Sequence, residues 1–318
     1  MILITGGRGF VGKKLIESLR VSKAQFVSLV RNGSENLESF EMEMPNDPSC
    51  KSLLSLAAEF NKPIDTVIHC AGLAHGKLPN ASSQDYERVN VSLTEELAKL
   101  ALTIGATKFI FLSTIGVHGR VSNQPISESS LLAPYDDYSR SKLNAEQRLV
   151  DLFEGEERGS ELVIIRPPLI IGEGAPGNFG KLIKLCSSAI PLPFGLINNK
   201  RTVLSLENLV DFIFFAKEKT GVSGFFTLAD DEVLSTKDMA KEIKSSLGRG
   251  SFMLPVPKVL IKALSFVVRK PHFYEQLCGD LVVDNSKSKS YGWRPTVDSR
   301  STLRKTAKLF VNEERSSQ

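Results

Sequence analysis

The sequence predicts an α/β fold, a doubly wound parallel sheet with helices on both faces and a smaller, interleaved C-terminal lobe. Three observations predict it. Short apolar runs alternate with helical stretches through the first half of the 318 residues. A glycine-rich turn joins the first run to the first helix. After Pro167 the texture changes to Gly- and Pro-rich segments broken by short helices.

The elements follow in order. "ILIT" (2–5) reads as a short buried strand, and 10–19 has helical spacing with Leu15, Ile16 and Leu19 on one face. "FVSLV" (26–30) is the next strand, then "TVIHCA" (66–71), one long helix over about 83–104, "KFIFLS" (108–113), a helix over about 136–153, and "LVIIRP" (162–167). Strands flanked by helices of this length form βαβ units with right-handed crossovers, so the sheet is parallel and covered on both faces. Residues 1–167 form this domain, and 168–318 form mainly the second lobe. In the lobe, 206–219, 235–247 and 256–268 read as helices and 225–228 and 281–284 as strands. "NEERSSQ" at the end reads as a frayed tail.

Composition narrows the function. With 42% hydrophobic and 24% charged residues, collagen-like, disordered and coiled-coil classes are excluded. The net charge of +4 is scattered rather than striped, so no nucleic-acid partner is expected, whereas a small anionic ligand fits. The cysteines (50, 70, 186, 278) and histidines (69, 75, 118, 272) are dispersed, without metal-ligand spacing, so no metal is expected. The cysteines read as buried thiols in a reducing compartment, and a strand opening at Ile2 leaves no room for a leader, so the cytoplasm is the expected location. No apolar run approaches the roughly 20 residues of a bilayer span, so no membrane insertion is expected. "VLIKALSFVV" (259–268), followed by Arg269 and Lys270, reads as a helix packed on the core, with contact to a membrane surface as the alternative.

The first strand runs directly into "TGGRGFVG" (5–12) and a helix. Gly7, Gly9 and Gly12 match the dinucleotide fingerprint, and Gly6, Gly9 and Gly12 its variant. So tight a turn needs residues without Cβ, and the helix start then offers N–H groups to a pyrophosphate. Gly6, Gly7, Arg8, Gly9, Phe10, Val11 and Gly12 are the expected cradle. Arg31 follows the second strand, where an acidic residue would select NAD; a cation there suits the 2′-phosphate of NADP, with Arg8 as a possible helper. NADP is therefore favoured over NAD.

"FIFLSTIGVHG" (109–119) is a buried strand ending in hydroxyls, and the helix carrying "YSRSK" (138–142) follows, with Pro134, Asp136 and Asp137 at its start. Thr114, Tyr138 and Lys142 thus converge at the carboxyl end of the sheet. With "HCAGLAHG" (69–76), Asn90 in "YERVNVSLTEELA", "RPPLIIGEG", "RTVLSLENLVD" and "YGWRPTV", the pattern resembles the extended short-chain dehydrogenases/reductases, the superfamily of nucleotide-sugar epimerases, dehydratases and reductases.

The resemblance implies roles. Tyr138 is the general acid/base. Lys142 contacts the nicotinamide ribose and lowers the tyrosine pKa, and Thr114 holds the reacting oxygen, with Ser113 as its neighbour. Ala71, Gly72, Asn90, Ser113 and Pro167 belong to the cofactor site. Ala74, Thr114, Tyr138, Asn178 and Arg201 belong to the substrate, Arg201 through a diphosphate that a guanidinium grips at two oxygens. His118 stands where many sugar epimerases carry tyrosine. "GLAHG" and "RPPLIIGEGAPGNF" resemble the subgroup of bacterial surface-polysaccharide synthesis, in which reductases and epimerases act at C4 of N-acetylated UDP-hexoses. A 4-ketoreductase is the leading reading and a 4-epimerase with tightly held NAD the alternative. A 4,6-dehydratase is disfavoured because Ile115 and Gly116 replace its Asp-Glu pair. A non-catalytic dinucleotide sensor is the remote alternative. A homodimer through the 83–104 and 136–153 helices is implied by the relatives alone.

Overall fold

The computed structural model describes residues 1–31, 33–60, 62–74, 81–155, 159–188, 190–267 and 272–316. The chain divides into two units: Met1–Val117 with Pro134–Arg166 and Val210–Phe226, and His118–Ala133 with Pro167–Leu209 and Thr227–Gln318.

The first unit runs β1 (Ile2–Thr5), α1 (Phe10–Val21), β2 (Phe26–Val30), β3 (Glu41–Glu43), α2 (Cys50–Ala57), β4 (Thr66–His69), α3 (Ser83–Tyr86), α4 (Leu93–Thr103), β5 (Lys108–Leu112), α5 (Asp137–Glu154) and β6 (Glu161–Arg166). β7 (Leu169–Ile171), α6 (Asn178–Ser187) and β8 (Arg201–Ser205) follow, then α7 (Leu206–Glu218) and β9 (Gly224–Thr227). The large sheet has the order β3-β2-β1-β4-β5-β6-β9. β1 pairs in parallel with β2 and β4, Ile4 lying opposite both Ser28 and Ile68. The winding therefore reverses between β1 and β4, and ligands of such sheets bind in the crevice at the carboxyl ends beside that reversal. Leu3, Val67, Phe109, Phe111 and Ile164 from the strands pack with Leu97, Ala101, Ala145 and Leu149 from α4 and α5.

The second unit holds a small sheet in which β8 pairs in parallel with β7 and antiparallel with β10 (Val233–Leu234). Around it lie α6, α8 (Thr236–Ser246), α9 (Lys258–Val267), α10 (His272–Cys278), α11 (Ser286–Ser290) and α12 (Ser299–Ser316). Its core gathers Phe179, Ile183, Phe194, Val203, Met239, Ile243 and Leu303.

Three expectations change. The helix expected across 83–104 is interrupted by a π-helical stretch, Glu87–Ser92. The wider turn carries Asn90 into the protein, where its amide holds a neighbouring loop. The strand expected at 281–284 is reduced to single bridges, Ile126 to Val283 and Arg201 to Leu281. The tail expected from 312 begins inside α12, and 317–318 lie outside the described residues. Finally, α9 packs on the core as expected, through Ile261, but by a narrow edge: of 258–266, only Ile261 and Ser265 are buried. Residues 268–270 lie outside the described residues. The cysteines are free as expected, but only Cys186 and Cys278 are fully buried.

Candidate active site

Several helices are closed at their start by a side chain. Ser49, Asp136 and Ser235 accept from the first-turn N–H groups of α2, α5 and α8. α1 has no such cap; it starts behind Gly9, which offers its first turn no side-chain acceptor. Beside this start the backbone is too close for side chains. Gly6 has φ +78°, and a Cβ on it would lie 2.6 Å from the Ala71 nitrogen. A Cβ on Gly12 would lie 2.1 Å from the Gly6 carbonyl. A helix start with no side-chain cap, beside a glycine-lined turn, fits a dinucleotide diphosphate.

Arg8 is not available to help a 2′-phosphate, contrary to expectation. Its Nε and a terminal nitrogen donate to Glu41 at 2.9 and 2.6 Å, and its other donations go to the Glu35 and Asn36 carbonyls. Its backbone remains part of the loop. Arg31, at the end of β2, is exposed and forms no ion pair among the described residues.

A buried relay ties the loop to the strands. His69 lies 2.5 Å from Thr5 Oγ1 through Nδ1 and 2.8 Å from Thr94 Oγ1 through Nε2. Thr94 spends its own proton on the Asn90 carbonyl at 2.7 Å, so Nε2 of His69 donates and Nδ1 accepts. Burial, helped by the charge of Lys142, lowers His69 to about 3, and the ring stays neutral. Asn90 is fully committed as well. It accepts from Leu73 N at 2.7 Å and donates to the Leu73 carbonyl at 3.1 Å and to Ser141 Oγ at 2.9 Å. Its amide therefore fixes the backbone at Leu73 and presents no free group.

α5 begins at an Asp136 cap that accepts from Ser139 N at 2.8 Å. Tyr138 and Lys142 lie on one face, one turn apart. Lys142 is 3% exposed, donates to the Leu112 carbonyl at 2.9 Å and sits 4.4 Å from the centre of the Phe111 ring. A Cβ on Gly72 would lie 3.2 Å from both its ammonium and Asn90 Oδ1, so the loop passes the lysine closely. Burial pushes Lys142 down to about 8, against the opposing pull of Cys70 and Glu146. The Tyr138 phenol is pushed up from its ordinary value by burial, then by Tyr135 and Asp136. Thr114 accepts from Gly116 N at 3.1 Å, and Gly116 sits against Thr114, Ser139 and Tyr135. The hydroxyl thus lies near the start of α5.

Beneath this face lies a buried ion pair that sequence reasoning missed. Arg166, at the end of β6, donates to both oxygens of Glu146 at 3.0 and 2.6 Å. Ser113 donates to the same carboxylate at 2.5 Å. Ser113 is therefore spent on Glu146, and Thr114 is the hydroxyl left for a reacting oxygen. Glu146 is 1% exposed and Arg166 2%. The available signal was Glu146 standing four residues after Lys142.

Residues 2–224 match the NAD dependent epimerase/dehydratase family. The chain belongs to this family. A UDP-glucose 4-epimerase of Vibrio cholerae is 34% identical over 322 residues, covering 98% of this chain and 95% of its own. A dTDP-4-dehydro-6-deoxyglucose reductase of Escherichia coli is 27% identical and covers 93% of both chains. A Bordetella bronchiseptica enzyme solved with NAD and UDP shares the fold, with a TM-score of 0.75 at 20% identity over 98% of this chain and 95% of that one. The protein is an enzyme of the epimerase, dehydratase and reductase kind.

Of the residues expected on the substrate side, Asn178 and Arg201 fall in the second unit and Ala74, Thr114 and Tyr138 in the first. Asn178 is the exposed first residue of α6, behind Gly177 at φ +72°, and no side chain caps that helix. Arg201 opens β8 and donates Nε to the Gly279 carbonyl at 3.1 Å. His118 is 7% exposed, with Nδ1 3.1 Å from the Leu131 carbonyl. Pro167 is buried and Ala74 half-buried, while His75 and Gly76 lie outside the described residues.

Proposed function

We propose that the chain transfers a hydride at C4 of a nucleotide-linked hexose, a UDP-N-acetylhexose, as an NADPH-dependent 4-ketoreductase. The carrying observation is the α5 face: a lysine buried beside the 71–74 loop and a phenol one turn before it that holds its proton. A phenol kept in its acid form suits proton donation to a C4 ketone oxygen. When bound, the reduced nicotinamide supplies the hydride. The chain's own groups do the rest. The α1 start and the glycine loop hold the diphosphate, Lys142 fixes the ribose side, Thr114 donates to the C4 oxygen and Tyr138 protonates it. Arg31, exposed and without an ion pair among the described residues, favours the 2′-phosphate of NADP. Asn178 and Arg201 are assigned to the nucleotide diphosphate, Ala74 to the sugar, and α4 with α5 to a homodimer in the cytoplasm.

The 34% identity to a UDP-glucose 4-epimerase favours a second reading, in which NAD stays bound and the hydride returns to the other face. One experiment separates them. The purified protein is denatured, any released nucleotide is identified, and the stripped chain is titrated with NADPH and NADH. Empty protein with a clear NADPH preference supports the ketoreductase. Stoichiometric NAD selects the epimerase. Light scattering at micromolar concentration tests the dimer, which a monomer mass refutes.

A further inference from the structure

Away from the site just described, α9 and the segments flanking it have an unusual surface. Seventeen large apolar residues of the described chain are exposed, and seven of them fall between 252 and 273. On α9 itself Val259 is 76% exposed, Leu260 58%, Leu264 59% and Phe266 60%. Isolated exposed apolar residues are ordinary on a protein surface, but a contiguous group of this kind marks a contact site. Among its described side chains the helix turns only Ile261 and Ser265 inward. At 3.6 residues per turn, Leu260 and Leu264 form one outward ridge and Val259, Ala263 and Phe266 the next. Lys258 and Lys262, also four apart, border these ridges. Both lysines are exposed, and the Lys262 ammonium lies 5.9 Å from the Tyr274 ring centre.

Charge identifies the occupant. From 243 to 274 the sequence has no Asp or Glu, but six Lys or Arg. One of these, Lys244, is buried, donating to the Ser188 and Ile190 carbonyls; the other five are Arg249, Lys258, Lys262, Arg269 and Lys270. A second copy of this chain packed on the same face would set one basic run against another. A bilayer surface bearing anionic phospholipid offers what this face needs, with negative headgroups for the lysines and acyl boundary for the leucines and phenylalanine. At ten residues, α9 is too short to cross a bilayer, and no described helix is long and apolar enough to do so.

We propose that α9 docks the enzyme peripherally on anionic lipid bilayers, lying in the interface with Val259, Leu260, Leu264 and Phe266 inserted and Lys258 and Lys262 at headgroup level. This goes beyond the C4 chemistry proposed above and does not depend on it. The test is cosedimentation of the full chain with vesicles of phosphatidylcholine, with or without phosphatidylglycerol. Two variants are compared, Leu260→Ser/Leu264→Ser/Phe266→Ser and Lys258→Glu/Lys262→Glu, each checked for native circular dichroism and for unchanged mass by light scattering.

Binding to the phosphatidylglycerol vesicles, weakening with added salt, is the expected result. Partitioning falls about tenfold or more in the triple variant, and about fivefold or more for each lysine removed. Hydride transfer to soluble substrate is unchanged in both. No sedimentation with phosphatidylglycerol vesicles overturns the proposal, and so does sedimentation unaffected by the triple variant. A wild-type mass that drops in the triple variant, without vesicle binding, also overturns it and makes the face a self-association surface.

Discussion

α5 and α9 both set lysine beside apolar surface, and they do so in opposite ways. In α5 the charges are inside: Lys142 is 3% exposed and Glu146 1%, each held by hydrogen bonds from other elements. In α9 the charges are outside and the apolar side chains are outside with them. Burying a charge costs several kcal/mol unless partners offset it, so a helix that keeps Lys142 buried has a chemical use for it. Leaving leucine in water costs the fold little, so α9 lacks a partner rather than stability. Buried charge marks the reaction centre, and exposed apolar surface marks where the molecule meets something else.

Tyr138→Phe strikes the α5 side hardest. The ring still packs against Tyr86, whose centre is 6.5 Å away, but the proton is gone. Turnover should fall about 10³-fold with cofactor affinity nearly intact, measured as kcat and by NADPH fluorescence titration. A variant that keeps its rate would break the assignment of α5 as the reaction face. Glu146→Ala comes next. It leaves Arg166 buried opposite a void and Ser113 without an acceptor, so stability should drop by about 3 kcal/mol in chemical denaturation. Glu146→Gln keeps the shape and loses less. In both, Lys142 loses the opposing carboxylate and titrates below about 8, so the alkaline limb of the rate profile moves to lower pH.

How much of this was legible depends on distance along the chain. "TGGRGFVG" and "YSRSK" are local, and a strand-to-helix turn or one helical face can be read from spacing alone. The Arg8–Glu41 pair spans 33 residues and ends on a three-residue strand too short to give an alternating pattern. Arg8 therefore read as free for phosphate when it is spent. Glu146 was visible as a residue on the lysine face, but its partner Arg166 arrives from β6, and no helical period points to a neighbouring strand. The π-helical turn at Glu87–Ser92 was hidden for a related reason. One extra residue in a turn does not interrupt a hydrophobic pattern, yet it rotates Asn90 onto the Leu73 backbone. In α9 the apolar period was read correctly as a helix; what it could not say was which face would be covered.

A pH series sharpens the α5 half of the comparison. The folded value of Lys142, about 8, lies below its ordinary 10.5. Below pH 8 folded and unfolded chains both carry the proton, and the full cost of burial is present. Between pH 8 and 10.5 the unfolded chain holds more protons, so stability contributed by this group rises with pH, by about 3 kcal/mol in all. Lys142→Met should abolish that rise. At pH 7 it should be more stable than wild type by about 1–2 kcal/mol once the lost bond to the Leu112 carbonyl is subtracted, while turnover collapses. A Met variant that is less stable at pH 7 would mean that partners outweigh burial.

The smallest effect belongs to α9 and is the most discriminating. Leu264→Ser removes a large side chain that is 59% exposed, so its stability change should stay within about 0.5 kcal/mol. An inward substitution on the same helix, Ile261→Ser, removes a side chain that is 6% exposed and leaves a polar group in its place, for a loss of about 3 kcal/mol. Equal losses at the two positions would mean that the outer face is covered by the protein itself in solution, and α9 would join α5 as core. A sixfold gap between neighbouring faces of one helix would mean that the fold holds α9 by a single edge and leaves the other to whatever the enzyme rests on.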